Sequence, residues 1–93
     1  MRVILVYDIE TVQPGDQSRL AKVKKIARKY LFHVQKSVFE GRLTEGQFLK
    51  LKKELSSVID KNRDNVIFFK FQDYVSIEKE FLGKVNEYDS RFL

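Results

Sequence analysis

The chain has 93 residues, 43% of them apolar and 33% charged, which suits one compact domain around one core and excludes a disordered tract. With no cysteine and only His33 as histidine, disulfide frameworks, thiolate zinc sites, cysteine nucleophiles and histidine-rich metal sites are all excluded. The net charge is +5, and seven basic residues (Arg19, Lys22, Lys24, Lys25, Arg28, Lys29 and Lys36) fall between Gln17 and Lys36 without an intervening acid.

Arg2 to Ile9 is almost wholly β-branched, aliphatic or aromatic, and reads as a buried strand. Val3, Leu5 and Tyr7 alternate with Ile4 and Val6, so both faces of this strand call for a cover. The apolar run Val3 to Tyr7 is far short of the ~20 residues a membrane span needs. With no signal-peptide pattern at the start, a soluble cytoplasmic protein without a membrane partner is expected. Pro14, Gly15 and Asp16 form a turn cluster that ends in candidate helix caps.

A first helix is predicted from about Gln17 to Phe32, with Leu20, Val23, Ile26, Ala27, Tyr30 and Leu31 on its apolar face. The basic block fills the rest of that helix. It suits a polyanion, because phosphate neutralisation with counterion release supplies most non-specific nucleic-acid affinity. It equally suits a solvated face that keeps the protein soluble.

His33 to Leu43 reads as one bent strand or two short ones, with Gly41 permitting a bulge. Thr44 opens a second helix, Gln47 completes a capping box, and Phe48, Leu51, Leu55, Val58 and Ile59 form the buried stripe. After a polar turn, Val66 to Phe71 is a strand with Val66 and Phe68 on one side and Ile67, Phe69 and Phe71 on the other.

The order β-α-β-(β)-α-β predicts an α+β, ferredoxin-like sandwich with an antiparallel sheet and two helices on one face. The face left open needs a partner, and a second copy related by a two-fold axis is the simplest one. Residues 1–71 are expected to form the core domain, and 72–93 a C-terminal arm or edge strand anchored by Phe81, Leu82, Tyr88, Phe92 and Leu93.

Asp8 ends the first strand, where a carboxylate faces a loop-lined opening while the sheet holds it. It suits either metal coordination or a solvated β-α turn. Without thiolates or several imidazoles, any metal must be held by carboxylates, carbonyls and water, which favours Mg²⁺ or Mn²⁺. Two Asp8 carboxylates near a two-fold axis could share such an ion, which would help hydrolyse a phosphodiester. Tyr7 is a core residue whose hydroxyl could orient a phosphate, and Arg19 and Lys22 are either solvated or phosphate contacts. Phe39 is core or a base-stacking platform. His33 reads as a surface residue and Ser37 as a strand hydroxyl rather than a nucleophile.

Three segments together carry a family resemblance: Arg2-Val3-Ile4-Leu5-Val6-Tyr7-Asp8-Ile9, Arg19-Leu20-Ala21-Lys22-Val23, and Val34-Gln35-Lys36-Ser37-Val38-Phe39-Glu40-Gly41. In these residues and their spacing the chain resembles the CRISPR-associated endoribonuclease family, the second of the universal CRISPR adaptation proteins. The resemblance implies a ferredoxin-like homodimer, a divalent metal between the first-strand aspartates, and nuclease activity on RNA or DNA. It also implies a partnership with the CRISPR adaptation integrase, in which the small dimer bridges two integrase dimers and measures the captured duplex. By position, Asp8 is the implied metal ligand, Asp8 and its neighbour Tyr7 the implied catalytic residues, and Arg19 and Phe39 substrate contacts. Leu31 replaces the glycine usual after the helix-one tyrosine, and His33 stands where arginine is frequent. The competing function is a non-catalytic scaffold that grips duplex DNA through the Gln17 to Lys36 charge block, in which Lys24, Lys25 and Arg28 are the residues to reverse in a test. An RNA-recognition module lacks its glycine-aromatic signature here, and an effector-binding module remains open to this fold.

Overall fold

The computed structural model describes residues 1–84. Its elements are β1 (Arg2–Asp8), α1 (Asp16–Tyr30), β2 (Phe32–Gln35), β3 (Val38–Arg42), α2 (Glu45–Val58) and β4 (Asn65–Phe71). The strands form one sheet in the order β2-β3-β1-β4, with every pairing antiparallel. This is the expected ferredoxin-like sandwich, with β1 in the interior of the sheet.

Period-two alternation decides what β1 does. Val3, Leu5 and Tyr7 are buried against the helices, whereas Arg2, Ile4, Val6 and Asp8 belong to the opposite face. From α1 come Val23 and Ala27, and from α2 come Phe48, Leu51 and Leu55, all in one core. The second helix starts as its sequence predicts: the Thr44 hydroxyl accepts from Gln47 N at 3.1 Å, and the Gln47 side chain accepts from Thr44 N at 2.9 Å.

Two local expectations are corrected, and one that was left between alternatives is decided. Helix α1 stops at Tyr30 rather than Phe32, because Leu31 turns extended and drops into the core, and Phe32 already pairs with Glu40. Gly41 does not carry a bulge; it lies in regular register opposite Val3, and a Cβ there would sit 3.1 Å from Leu31 Cδ2. The irregularity falls instead between His33 and Gln35. Residues 33–43 are therefore two strands joined by a turn at Lys36 and Ser37.

Phe39 is also settled as core. Its ring has no exposed surface and is stacked by His33 at 4.5 Å, so it offers no face to a nucleic-acid base. Phe39→Ala is expected to cost about 3–5 kcal/mol, the range for removing a large buried aromatic, measured as a lower urea midpoint at unchanged slope.

On the face opposite the helices, Ile67 is 44% and Phe69 52% exposed, beside the partly buried Ile4, Val6 and Val38. The Arg2 guanidinium lies 5.1 Å from the centre of the Phe71 ring. Residues 72–84 contain no helix or strand, and Lys79 pairs with Glu40 on β3. Of the two forms expected for the C-terminal segment, arm or edge strand, residues 72–84 form no strand, while Tyr88, Phe92 and Leu93 lie outside the described residues.

Candidate active site at the end of β1

Asp8 lies exposed at the last position of β1, opposite Asn65 of β4. Together with Tyr7, Ile9, Leu20, Lys24, Lys36 and Ser37 it lines an open hollow of about 300 Å³. The sheet fixes one wall and α1 the other, because Leu20 and Lys24 are one helical turn apart and share a side of α1.

The backbone beneath Asp8 is tightly held. Tyr7 N donates to Ser37 O at 3.1 Å, and the Tyr7 hydroxyl donates to Lys36 O, also at 3.1 Å. His33 Nε2 lies 2.8 Å from that same Lys36 carbonyl. Burial pushes the Tyr7 hydroxyl pKa upward, opposed by the nearby positive charge of Arg28. Tyr7 is consequently neutral at physiological pH, and its hydroxyl proton is committed to the turn.

The loop that follows Asp8 is fastened by an ion cluster. Arg63 grips Asp16 with both terminal nitrogens, at 2.9 and 2.6 Å, and Arg19 Nη1 reaches the same carboxylate at 2.8 Å. Arg19 also donates to Asp64 through Nε at 2.6 Å and Nη2 at 3.0 Å. Asp64 in turn accepts from the backbone N–H groups of Asp60 and Glu10, and Arg63 Nε donates to Glu10 at 2.9 Å. Asp16, expected to cap α1, accepts instead from Val12 N and Gln13 N, while Gly15 takes the cap position with φ 90° and no side-chain cap bond.

Hydrogen bonds from Arg63 first, then Gln13 N and Arg19, hold Asp16 well below the usual carboxylate range. Arg19 chiefly, with the Asp60 and Glu10 amides, lowers Asp64 against an opposing effect of burial. The stabilisation from Asp16 is therefore complete above its ordinary value of 3.8 and is lost as pH falls further towards its folded value. Asp16→Asn is expected to lower Tm by several degrees at neutral pH, a deficit that narrows below about pH 4. Thermal unfolding of both proteins from neutral to acid pH measures this, and a deficit that stays constant throughout would contradict it.

A family model for CRISPR associated protein Cas2 matches residues 1–76. The chain belongs to the Cas2 family. It is 44% identical over 91 residues to "CRISPR-associated endoribonuclease Cas2 2" of Moorella thermoacetica, covering 98% of this chain and 100% of that protein. It is 45% identical over 83 residues to the CRISPR-associated endoribonuclease Cas2 of Thermotoga maritima, covering 89% and 88% respectively. Among solved structures, Streptococcus pyogenes Cas2 superposes with a TM-score of 0.78 at 34% identity, over 89% of this chain and 100% of that one.

In this Cas2-family fold the expected site residues separate. Tyr7, Asp8 and Lys24 meet at one hollow, joined by Lys36 and Ser37, which sequence reasoning did not assign to the site. Arg19 is corrected from substrate contact to internal clamp, since Nε, Nη1 and Nη2 are all engaged by Asp64, Asp16 and the Glu10 carbonyl. Lys22 lies in a separate hollow of about 320 Å³ with Gly15, Ser18, Arg19, Ser57 and Val58. Lys25 and Arg28 are exposed, and no described carboxylate pairs with them, whereas Lys29 and Tyr30 both engage Glu54. The basic block is thus divided around α1 rather than forming one surface.

Among the described residues no three His, Cys, Asp or Glu side chains converge as a metal cluster. Among the described residues Asp8 is the one carboxylate lining its hollow. One carboxylate is a single ligand, and a hard divalent ion there would take the rest of its shell from water or from a second carboxylate. No described helix is long and apolar enough to cross a membrane.

Proposed function

We propose that this Cas2-family chain is a metal-dependent endonuclease that hydrolyses phosphodiester bonds in RNA or DNA, works as a homodimer in the cytoplasm, and acts with the CRISPR adaptation integrase in spacer acquisition. The observation that carries the reading is the position of Asp8. It is an exposed carboxylate in a lysine-lined hollow, on the same sheet face as the exposed apolar residues Ile67 and Phe69 and the partly buried Ile4 and Val6. A second copy covering that face buries the apolar groups and brings a second Asp8 to the same region. The names of the relatives, endoribonuclease in each case, support the nuclease part.

Asp8 of each copy would hold Mg²⁺ or Mn²⁺. Bound there, the ion supplies Lewis-acid neutralisation of charge on a phosphoryl oxygen. The chain's own contribution is placement. Tyr7 fixes the strand end through the Lys36 and Ser37 carbonyls, and the Asp16–Arg19–Arg63–Asp64 cluster holds the loop beyond it. Incubation of the purified protein with single-stranded RNA, single-stranded DNA and duplex DNA tests the reading. Cleavage with Mg²⁺ or Mn²⁺ that stops on chelation is expected, and metal-independent cleavage would contradict it.

A second reading, a non-catalytic duplex-DNA-binding scaffold of the integrase complex, is favoured by Lys25 and Arg28, cations that are exposed and away from any described carboxylate. Reversing Lys24, Lys25 and Arg28 should then weaken duplex binding and spacer capture, while Asp8→Asn leaves both normal.

A further inference from the structure

Lys36 is the only described non-glycine residue with a positive φ, 23°. It and Ser37 form the tight turn between β2 and β3, a place where glycine or asparagine is the ordinary occupant because a Cβ crowds the backbone there. The turn is anchored rather than loose: the Lys36 carbonyl accepts from the Tyr7 hydroxyl, and the Ser37 carbonyl accepts from Tyr7 N. A strained lysine is therefore tied to the residue that precedes Asp8. Strain of this kind persists where surrounding structure enforces it, and it concentrates at functional sites.

The side chain that the strain retains faces chemistry of one kind. Lys36, Ser37 and Lys24 line the same hollow as Asp8, and Lys24 is partly buried in its wall. Neither lysine is paired with a carboxylate among the described residues, so the residues lining the hollow include two lysines and a serine against one aspartate. Arg28 follows Lys24 by one turn on the same side of α1 and is exposed. The basic groups thus continue past the hollow as a track, which matches a run of backbone phosphates better than a single free anion.

We infer that Lys36, Ser37 and Lys24 form a phosphate-binding subsite that seats one backbone phosphate of a nucleic-acid strand beside Asp8. Glycine at position 36 would relax the turn but remove the ammonium group, so the fold gives up stability there to keep a cation in place. This rests on nucleic acid being the substrate, but not on cleavage.

The test is fluorescence-anisotropy binding of a labelled single-stranded oligonucleotide in EDTA across a salt series, paired with thermal unfolding. Lys36→Gly is expected to raise Tm by a few degrees while weakening binding several-fold and reducing the salt slope by about 0.7, the value for one lost phosphate contact on a single strand. Lys24→Gln should reduce the slope similarly, whereas Lys36→Arg, which keeps both charge and strain, and Lys52→Gln on exposed α2 should leave slope and Tm unchanged. Unaltered slopes in both Lys36→Gly and Lys24→Gln would overturn the subsite, as would a wild type that does not bind the oligonucleotide. A wild type that binds with the expected lysine dependence yet never cleaves with metal would overturn the nuclease reading and leave the subsite standing.

Discussion

Asp8→Asn is expected to reduce metal-dependent cleavage by at least roughly 10²–10³-fold, the scale of losing one transition-state electrostatic group, and to leave Tm and oligomeric state unchanged. The separation follows from where Asp8 sits. It is exposed at a strand end, with no side-chain hydrogen bond or ion pair to a described residue, so the amide costs the fold nothing that the carboxylate supplied. What the amide lacks is the negative charge that a hard divalent ion requires. Each cleaving assembly in the proposed dimer would lose both carboxylates at once. A rate within a few-fold of wild type would remove Asp8 from the chemistry, whatever else in the fold is right.

Phe69→Asp is expected to convert the proposed dimer to monomer and to abolish the proposed cleavage with it. Phe69 is half exposed on the face opposite the helices, where it pairs in register with Ile4 of β1. Buried against a second copy in the proposed dimer, an aspartate there would be an unpaired charge in an apolar contact, appearing twice if the two copies are related by a two-fold axis. A penalty of several kcal/mol raises the dissociation constant by roughly 10²-fold or more. The monomer should remain folded, since the core is built from the other face: Val66 and Phe68 pack on it, and Ile67 and Phe69 do not. Sedimentation velocity with circular dichroism measures both parts. A folded, dimeric Phe69→Asp protein would show that the pairing surface lies elsewhere.

Much of the fold was legible because local signals agree with it. Alternation in β1 identified Val3, Leu5 and Tyr7 as one set, the Thr44–Gln47 pair marked the start of α2, and the split of Val66 and Phe68 from Ile67 and Phe69 in β4 was read correctly. Errors arose where a distant contact overrides a local pattern. Leu31 continues the helical periodicity of α1, yet the core reached past Gly41 draws it out of the helix. The irregularity between His33 and Gln35 breaks the alternation that would have assigned Phe39 to the core.

At the site, Asp8 was visible because it interrupts an apolar strand. The ion cluster was not, because Arg63 and Asp16 are separated by 47 positions and nothing local to either announces the other. Asp16 and Arg19, three apart, were the one fragment of it in reach, but the same spacing fits a solvated helix start. Lys36 was seen only as part of a charge block and of the third family segment. Lysine is a poor predictor of a positive φ, so neither the turn nor the direction of its side chain followed from composition.

The central claim, that Asp8 from two copies holds one divalent ion, is tested most directly by titrating Mn²⁺ into the purified protein and measuring stoichiometry by calorimetry. One ion per two chains is predicted for wild type, with that binding lost in Asp8→Asn. One ion per chain, or a stoichiometry that survives Asp8→Asn, would contradict it.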